Sequence, residues 1–120
     1  MSNKRFRKSP GTFEPIAVGF GSCYASDRIT VDGCRVGYMY REAPDDKSSN
    51  TVDSGWRFFA GDESDEYCSV PANFEIYDVN TIANYDAEIS PHLHAEVGSA
   101  FSREADVGFV RVPFDPPNEH

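Results

Sequence analysis

A single leucine, Leu93, stands against nine phenylalanines, six tyrosines and one tryptophan in this chain of 120 residues. Helical bundles draw their cores from leucine-rich stripes, whereas aromatic and β-branched residues fit a pleated, half-buried surface. The chain is therefore expected to fold around a sheet. Its length suits one domain, and a domain of this size buries roughly two-thirds of its unfolded surface without needing staples.

Alternation and breakers divide the chain. Residues 1–13 read as a flexible basic tail, with Pro10-Gly11 as a breaker, and residues 14–114 as one domain. A short strand is predicted over 21–26 and a second over 34–42, after the Asp32-Gly33 turn. In the second, Val36, Tyr38 and Tyr40 share one side and Arg35, Gly37, Met39 and Arg41 the other. The polar loop 43–52 joins it to an antiparallel neighbour, "GWRFFA" (55–60), where Trp56, Phe58 and Ala60 oppose Arg57 and Phe59. Asp62 then reads as a helix N-cap with Asp65 three positions on, and Pro71 ends that helix. A fourth strand over 73–79 is expected to turn Phe74 and Ile76 inward. Ile82, Tyr85, Ile89 and Leu93 form an apolar stripe on a second helix, with Asn80 and Asp86 as cap candidates and Pro91 as a kink. Strands over 97–101 and 108–114 close the domain, and 115–120 is a C-terminal tail. The expected class is α+β: a mainly antiparallel sheet of five to six strands, two short helices on one face, and the other face open.

Charge narrows the partners. The formal net charge is −9, and residues 1–8 carry Lys4, Arg5, Arg7 and Lys8; removing those four charges leaves −13 on residues 9–120. Such a body repels phosphate, so nucleic acid is not expected as a ligand, while a basic protein would be steered towards it. Solubility alone also accounts for an acidic surface. Cys23, Cys34 and Cys68 are odd in number and show no C-x-x-C spacing, which points away from disulfides and zinc and towards the cytoplasm. Neither a signal peptide nor a membrane span is expected.

Motifs for turnover are weak. The acidic runs lack the register of a calcium loop, and His92 and His94 fall where imidazole can meet the last carbonyls of a helix. No nucleophile elbow, Cys-His signature or H-E-x-x-H occurs, and Gly19–Gly21 lacks the context of a phosphate loop. No metal, cofactor or catalytic residue is expected. The aromatic and acidic positions are left. Trp56 and Phe58 suit a core. Phe59, Tyr38 and Tyr40 beside Arg57, rimmed by Asp62, Glu63, Asp65 and Glu66, have the composition of a protein-binding patch. A sheet covered on both sides would explain the same rings. A domain binding a small ligand, or serving in a larger assembly, and an uncharacterised hydrolase are the competing readings.

Four stretches carry a resemblance. "VGYMYRE" (36–42), "DSGWRFFAGDESDEY" (53–67), "NFEIYDVNTIANYDAEI" (73–89) and "GSAF" (98–101) occur in the order seen in the immunity protein 33-like domain family, which they resemble over residues 22–102. The resemblance implies a bacterial immunity protein that binds and blocks a cognate toxin of a polymorphic toxin system, a basic one given the charge. It brings no catalytic residues. The motif positions Asp53, Gly55, Trp56, Phe58, Gly61, Tyr67, Asn80, Asn84, Tyr85 and Asp86 are expected to be structural. Tyr38, Tyr40, Arg57, Phe59, Asp62, Glu63, Asp65 and Glu66 are the expected partner-binding positions.

Overall fold

The computed structural model describes residues 13–43 and 52–114; most of loop 43–52 and both expected tails, Phe13 apart, lie outside them. Six strands form one mixed, mostly antiparallel sheet: β1 (Ser22–Ser26), β2 (Tyr38–Arg41), β3 (Asp53–Phe59), β4 (Phe74–Asp78), β5 (Ala100–Glu104) and β6 (Gly108–Val112). Their spatial order is β4-β1-β3-β2-β5-β6. The sheet is α+β in context, as the alternation predicts. β2 and β3 are antiparallel partners, also as expected, but β1 runs parallel to β3. A parallel pair needs a long crossover, and here all of β2 and its flanking segments lie between β1 and β3 in the chain.

Short helices fill the connections. α1 (Asp27–Thr30) begins at Ser26, whose hydroxyl accepts from the Arg28 N–H; the sequence reading had no helix here. α2 (Asp65–Cys68) is capped by Ser64, not Asp62, since Ser64 Oγ accepts from Tyr67 N at 3.0 Å. The expected long helix is two pieces. α3 (Val79–Tyr85) is capped by Asp78 in place of Asn80, and a 3-10 helix, Ala87–His92, starts at Asp86 and contains Pro91. The break falls at Asp86 because its extended backbone ends α3 and its carboxylate caps the next turn.

The main core lies between one sheet face and α1, α3 and the 3-10 helix. Trp56, Phe58, Met39 and Val36 meet Ile29, Ile82, Ile89 and Leu93 there, all fully buried. The apolar stripe is thus confirmed, with Tyr85 at its partly buried margin. Trp56 Nε1 donates to the Leu93 carbonyl at 3.2 Å, so its one polar atom is satisfied. Val36 belongs to this core and not to the side of Tyr38 and Tyr40, because β2 begins only at Tyr38. Ile76 is also a correction: it is 52% exposed. It shares its face with Phe74, while Tyr77 turns to the main core. Alternation fixes which residues share a face but not which face is covered.

The opposite face carries a smaller cluster of Tyr40, Phe59 and Ala100, with Tyr38, Phe74, Val112 and Cys68 of α2 packed against it. Short helices therefore touch both faces. Asn80 and Asn84 clamp the chain before β1: Asn80 Oδ1 accepts from Ile16 N and Ala17 N, and Asn84 Oδ1 from Glu14 N.

Gly55 is the strained point of β3. Ser22 pairs with Asp53 and Tyr24 with Arg57, so β3 spends four steps where β1 spends two. Gly55 takes up the difference at φ +88, in the left-handed region. A Cβ there would press into the Glu42 carbonyl oxygen. Gly55→Ala is expected to lower stability by about 2 kcal/mol from the φ strain and the backbone contact, read as a lowered urea midpoint at unchanged slope.

Candidate functional site

Cross-strand register builds one continuous row over the second face. Ile76, Tyr24, Arg57, Tyr40, Ala100 and Val112 are successive partners on β4, β1, β3, β2, β5 and β6. Residues directly opposite in a sheet share a face, so Arg57 sits in the middle of an otherwise apolar and aromatic row.

Arg57 is only 4% exposed, and all three nitrogens of its guanidinium donate hydrogen bonds. Its Nη1 and Nη2 each donate to one oxygen of Asp53 at 2.9 Å, and Nε donates to Glu42 Oε2 at 2.6 Å. Nη1 also donates to its own neighbour's carbonyl, Trp56 O, at 3.1 Å. The guanidinium carbon lies 4.5 Å from the centre of the Tyr24 ring. Asp53 reaches Arg57 only because of the Gly55 bulge; on a straight strand the two would be about 13 Å apart. Burial lowers the Arg57 pKa, but the hydrogen bonds to Asp53 and Glu42 outweigh it and leave it raised. The trio keeps one negative charge in excess. Glu42, with a side chain 36% exposed, carries it to the rim.

Rings flank this floor. Tyr40 and Phe59 stack at 5.8 Å, Phe59 meets Phe74 edge-on at 5.7 Å, and Phe74 meets Tyr67 at 6.0 Å. Tyr38 lies 5.8 Å from Tyr40, which Phe114 approaches edge-on at 5.8 Å. Tyr40 and Phe59 are buried; Tyr24, Tyr38 and Phe74 are half-buried, and Ile76 and Phe114 exposed. The structure thus brings Tyr38, Tyr40, Arg57 and Phe59 together, with Tyr40, Arg57 and Phe59 as a packed floor and Tyr38 half-buried beside them. Accessible ring surface remains on Tyr38 and also on Tyr24, Phe74 and Phe114, which the sequence analysis does not single out. For Tyr24 on β1 and Phe74 on β4 the signal was present in the alternation: both fall on the Arg57 face.

The four carboxylates divide. Asp62 accepts from Arg28 Nη2 at 2.6 Å, which holds its pKa below the usual carboxylate range. Glu63 folds back on the end of β3, where Oε2 accepts from Ala60 N at 2.8 Å and Oε1 from Gly61 N at 2.9 Å. Gly61 itself turns the chain at φ +102. Asp65 and Glu66 stand exposed in the first turn of α2. Cys68, half-buried beside them, has its thiol pushed up by burial and by the carboxylates of Glu63 and Asp65. A thiol held protonated is a poor nucleophile. Cys23 is raised by full burial.

A second ionic hub lies at the far end of the sheet. Asp86 Oδ2 accepts from Val36 N at 3.0 Å and from Arg103 Nη2, while Oδ1 accepts from Glu88 N at 3.2 Å. Arg103 also pairs with Glu88, which Arg35 reaches at 2.8 Å. The hydrogen bond from Arg103 holds the Glu88 pKa low. The neighbouring histidines act as rings: His92 lies 4.8 Å from Phe101 and His94 5.1 Å from Phe20.

Ten motif positions now have local explanations: Trp56 and Phe58 fill the core, Gly55 and Gly61 permit left-handed turns, Asp53 and Asp86 anchor guanidinia, Asn80 and Asn84 tie down the N-terminal segment, Tyr85 packs against Phe13 and the main core, and Tyr67 packs against Phe74 on the other face. The family model of the immunity protein Imm33 domain matches residues 23–113. The chain belongs to the Imm33 immunity protein family. No curated protein and no solved structure matches it.

Proposed function

We propose that this chain is an immunity protein that binds and neutralises a cognate bacterial toxin in the cytoplasm, by contact and without turnover. Membership of the Imm33 family carries the reading, since it implies a toxin partner in general. The charge supports a basic toxin: −9 over the chain, with Asp65 and Glu66 displayed beside the aromatic face. Carboxylates at the edge of such a face govern encounter, and rings near its centre govern residence. A body of this charge disfavours nucleic acid as the ligand.

The test is co-expression with the toxin gene adjacent to the chain's own gene, scored by growth. Rescue is expected from the intact chain; continued toxicity, with the chain folded and abundant, would refute the reading. Asp65→Lys with Glu66→Lys is expected to slow association with that toxin roughly tenfold at low salt. Both side chains are exposed and, among the described residues, make no ion pair or cap of the kind Asp62 and Glu63 make, so the stability cost should stay near the roughly 1–2 kcal/mol expected from reversing two charges at a helix N-terminus. An association rate that stays constant, with the same salt slope, would remove these residues from the steering role.

A further inference from the structure

We propose that the hollow on the second sheet face receives an arginine side chain of the protein partner, a proposal that rests on the toxin-binding reading. The hollow measures about 270 Å³; Tyr24, Tyr40, Phe59 and Phe74 form its walls, Arg57 its floor and Glu42 its rim. Small-molecule sites usually span roughly 300–1,000 Å³, so this one suits a single side chain. Its charge selects the sign. Arg57, Asp53 and Glu42 together hold one surplus negative charge. Glu42 gives Oε2 to Arg57, and among the described residues its Oε1 takes no hydrogen bond.

Ring faces attract cations, and the fold already uses that attraction here by holding Arg57 4.5 Å over Tyr24. The entering group meets the same two ingredients, aromatic faces and a carboxylate oxygen. Arginine fits them better than lysine. Its guanidinium is planar, weakly hydrated and stacks on rings, whereas an ammonium keeps its water.

The whole protein should be titrated with N-acetyl-arginine methylamide and followed by nuclear magnetic resonance. Saturable shifts are expected at Tyr24, Tyr40 and Phe74. The isosteric, neutral citrulline compound should bind roughly two- to fivefold more weakly or worse, and Glu42→Gln should weaken the arginine compound to a similar extent. Phe74→Leu, which removes a wall ring and leaves the ion trio alone, should do so too. Equal binding of the citrulline compound would overturn the proposal, as would shifts centred on Asp65 and Glu66. Equal binding of the lysine compound would overturn the assignment to a guanidinium. The toxin-binding reading stands or falls separately, on growth rescue.

Discussion

Arg57→Ala is expected to cost the fold about 3–5 kcal/mol, a large part of the roughly 5–15 kcal/mol that separates folded from unfolded domains. The cause is what the substitution leaves behind. Asp53, its side chain 8% exposed, would keep a negative charge in a site built to neutralise it, and Glu42 would lose the donor at 2.6 Å. Desolvated charge without a partner is far more costly than the pair is stabilising. The contrast variant is therefore informative: Arg57→Met combined with Asp53→Asn and Glu42→Gln removes all three charges, and Asn keeps an acceptor for Gly55 N. It should recover most of the loss. Urea unfolding of the two variants decides the matter. A loss below about 1 kcal/mol for Arg57→Ala, typical of a surface pair, would show that water reaches the trio freely.

The same trio explains where sequence reasoning stopped. Trp56, Phe58, Ile82, Ile89 and Leu93 were legible as core because the largest apolar side chains gather on one strand side and one helix stripe, whereas alternation alone placed Ile76 wrongly. The antiparallel pairing of β2 with β3 followed from two alternating runs and one polar loop. The parallel placement of β1 was not legible, because strand neighbours separated by a third strand leave no local pattern. Arg57 and Asp53 sit four positions apart, a spacing that a regular strand would pull wide; only the left-handed Gly55 between them makes them partners. Asp-x-Gly-x-Arg was visible, but its meaning depended on a bulge. Asp62 is not the cap because α2 begins only at Asp65, which puts Ser64 in the cap position; Asp62 pairs instead with Arg28 of α1, a helix the sequence analysis does not predict.

The motif positions named above are occupied with bulge, caps, clamps and core. On the toxin-binding reading proposed above, partner choice falls to side chains such as Tyr24, Phe74, Ile76, Asp65 and Glu66, which are exposed or line a hollow and which the fold constrains less. A family could keep one body and change partners by altering these positions, since specificity is a difference between affinities.

Asp86 offers the second large effect, and it separates scaffold from surface. Asp86→Ala is expected to cost about 3–5 kcal/mol, comparable to Arg57→Ala, although the two sites share no partner and should add when combined. Its carboxylate joins three elements: the N–H of Val36 before β2, the first turn of the 3-10 helix through Glu88 N, and Arg103 on β5. Alanine would leave the buried Val36 N–H without its acceptor, and Arg103, with a side chain 15% exposed, would keep the solvent-facing Glu88 as its carboxylate partner and the Val36 carbonyl as an acceptor for Nε. Asp86→Asn separates these contributions. Its one amide oxygen can still accept from Val36 N, while the amide nitrogen replaces the oxygen that accepts from Glu88 N, so the charge and the cap are lost but the buried Val36 N–H keeps its acceptor, and the cost should fall to roughly half. Hydrogen exchange gives the local readout: amides of Ile89 and Leu93 in and after the 3-10 helix should lose protection before those of β3. Uniform loss of protection across β3 and the 3-10 helix in Asp86→Asn would instead make this hub part of the global core, with no independent hold on the helix it caps.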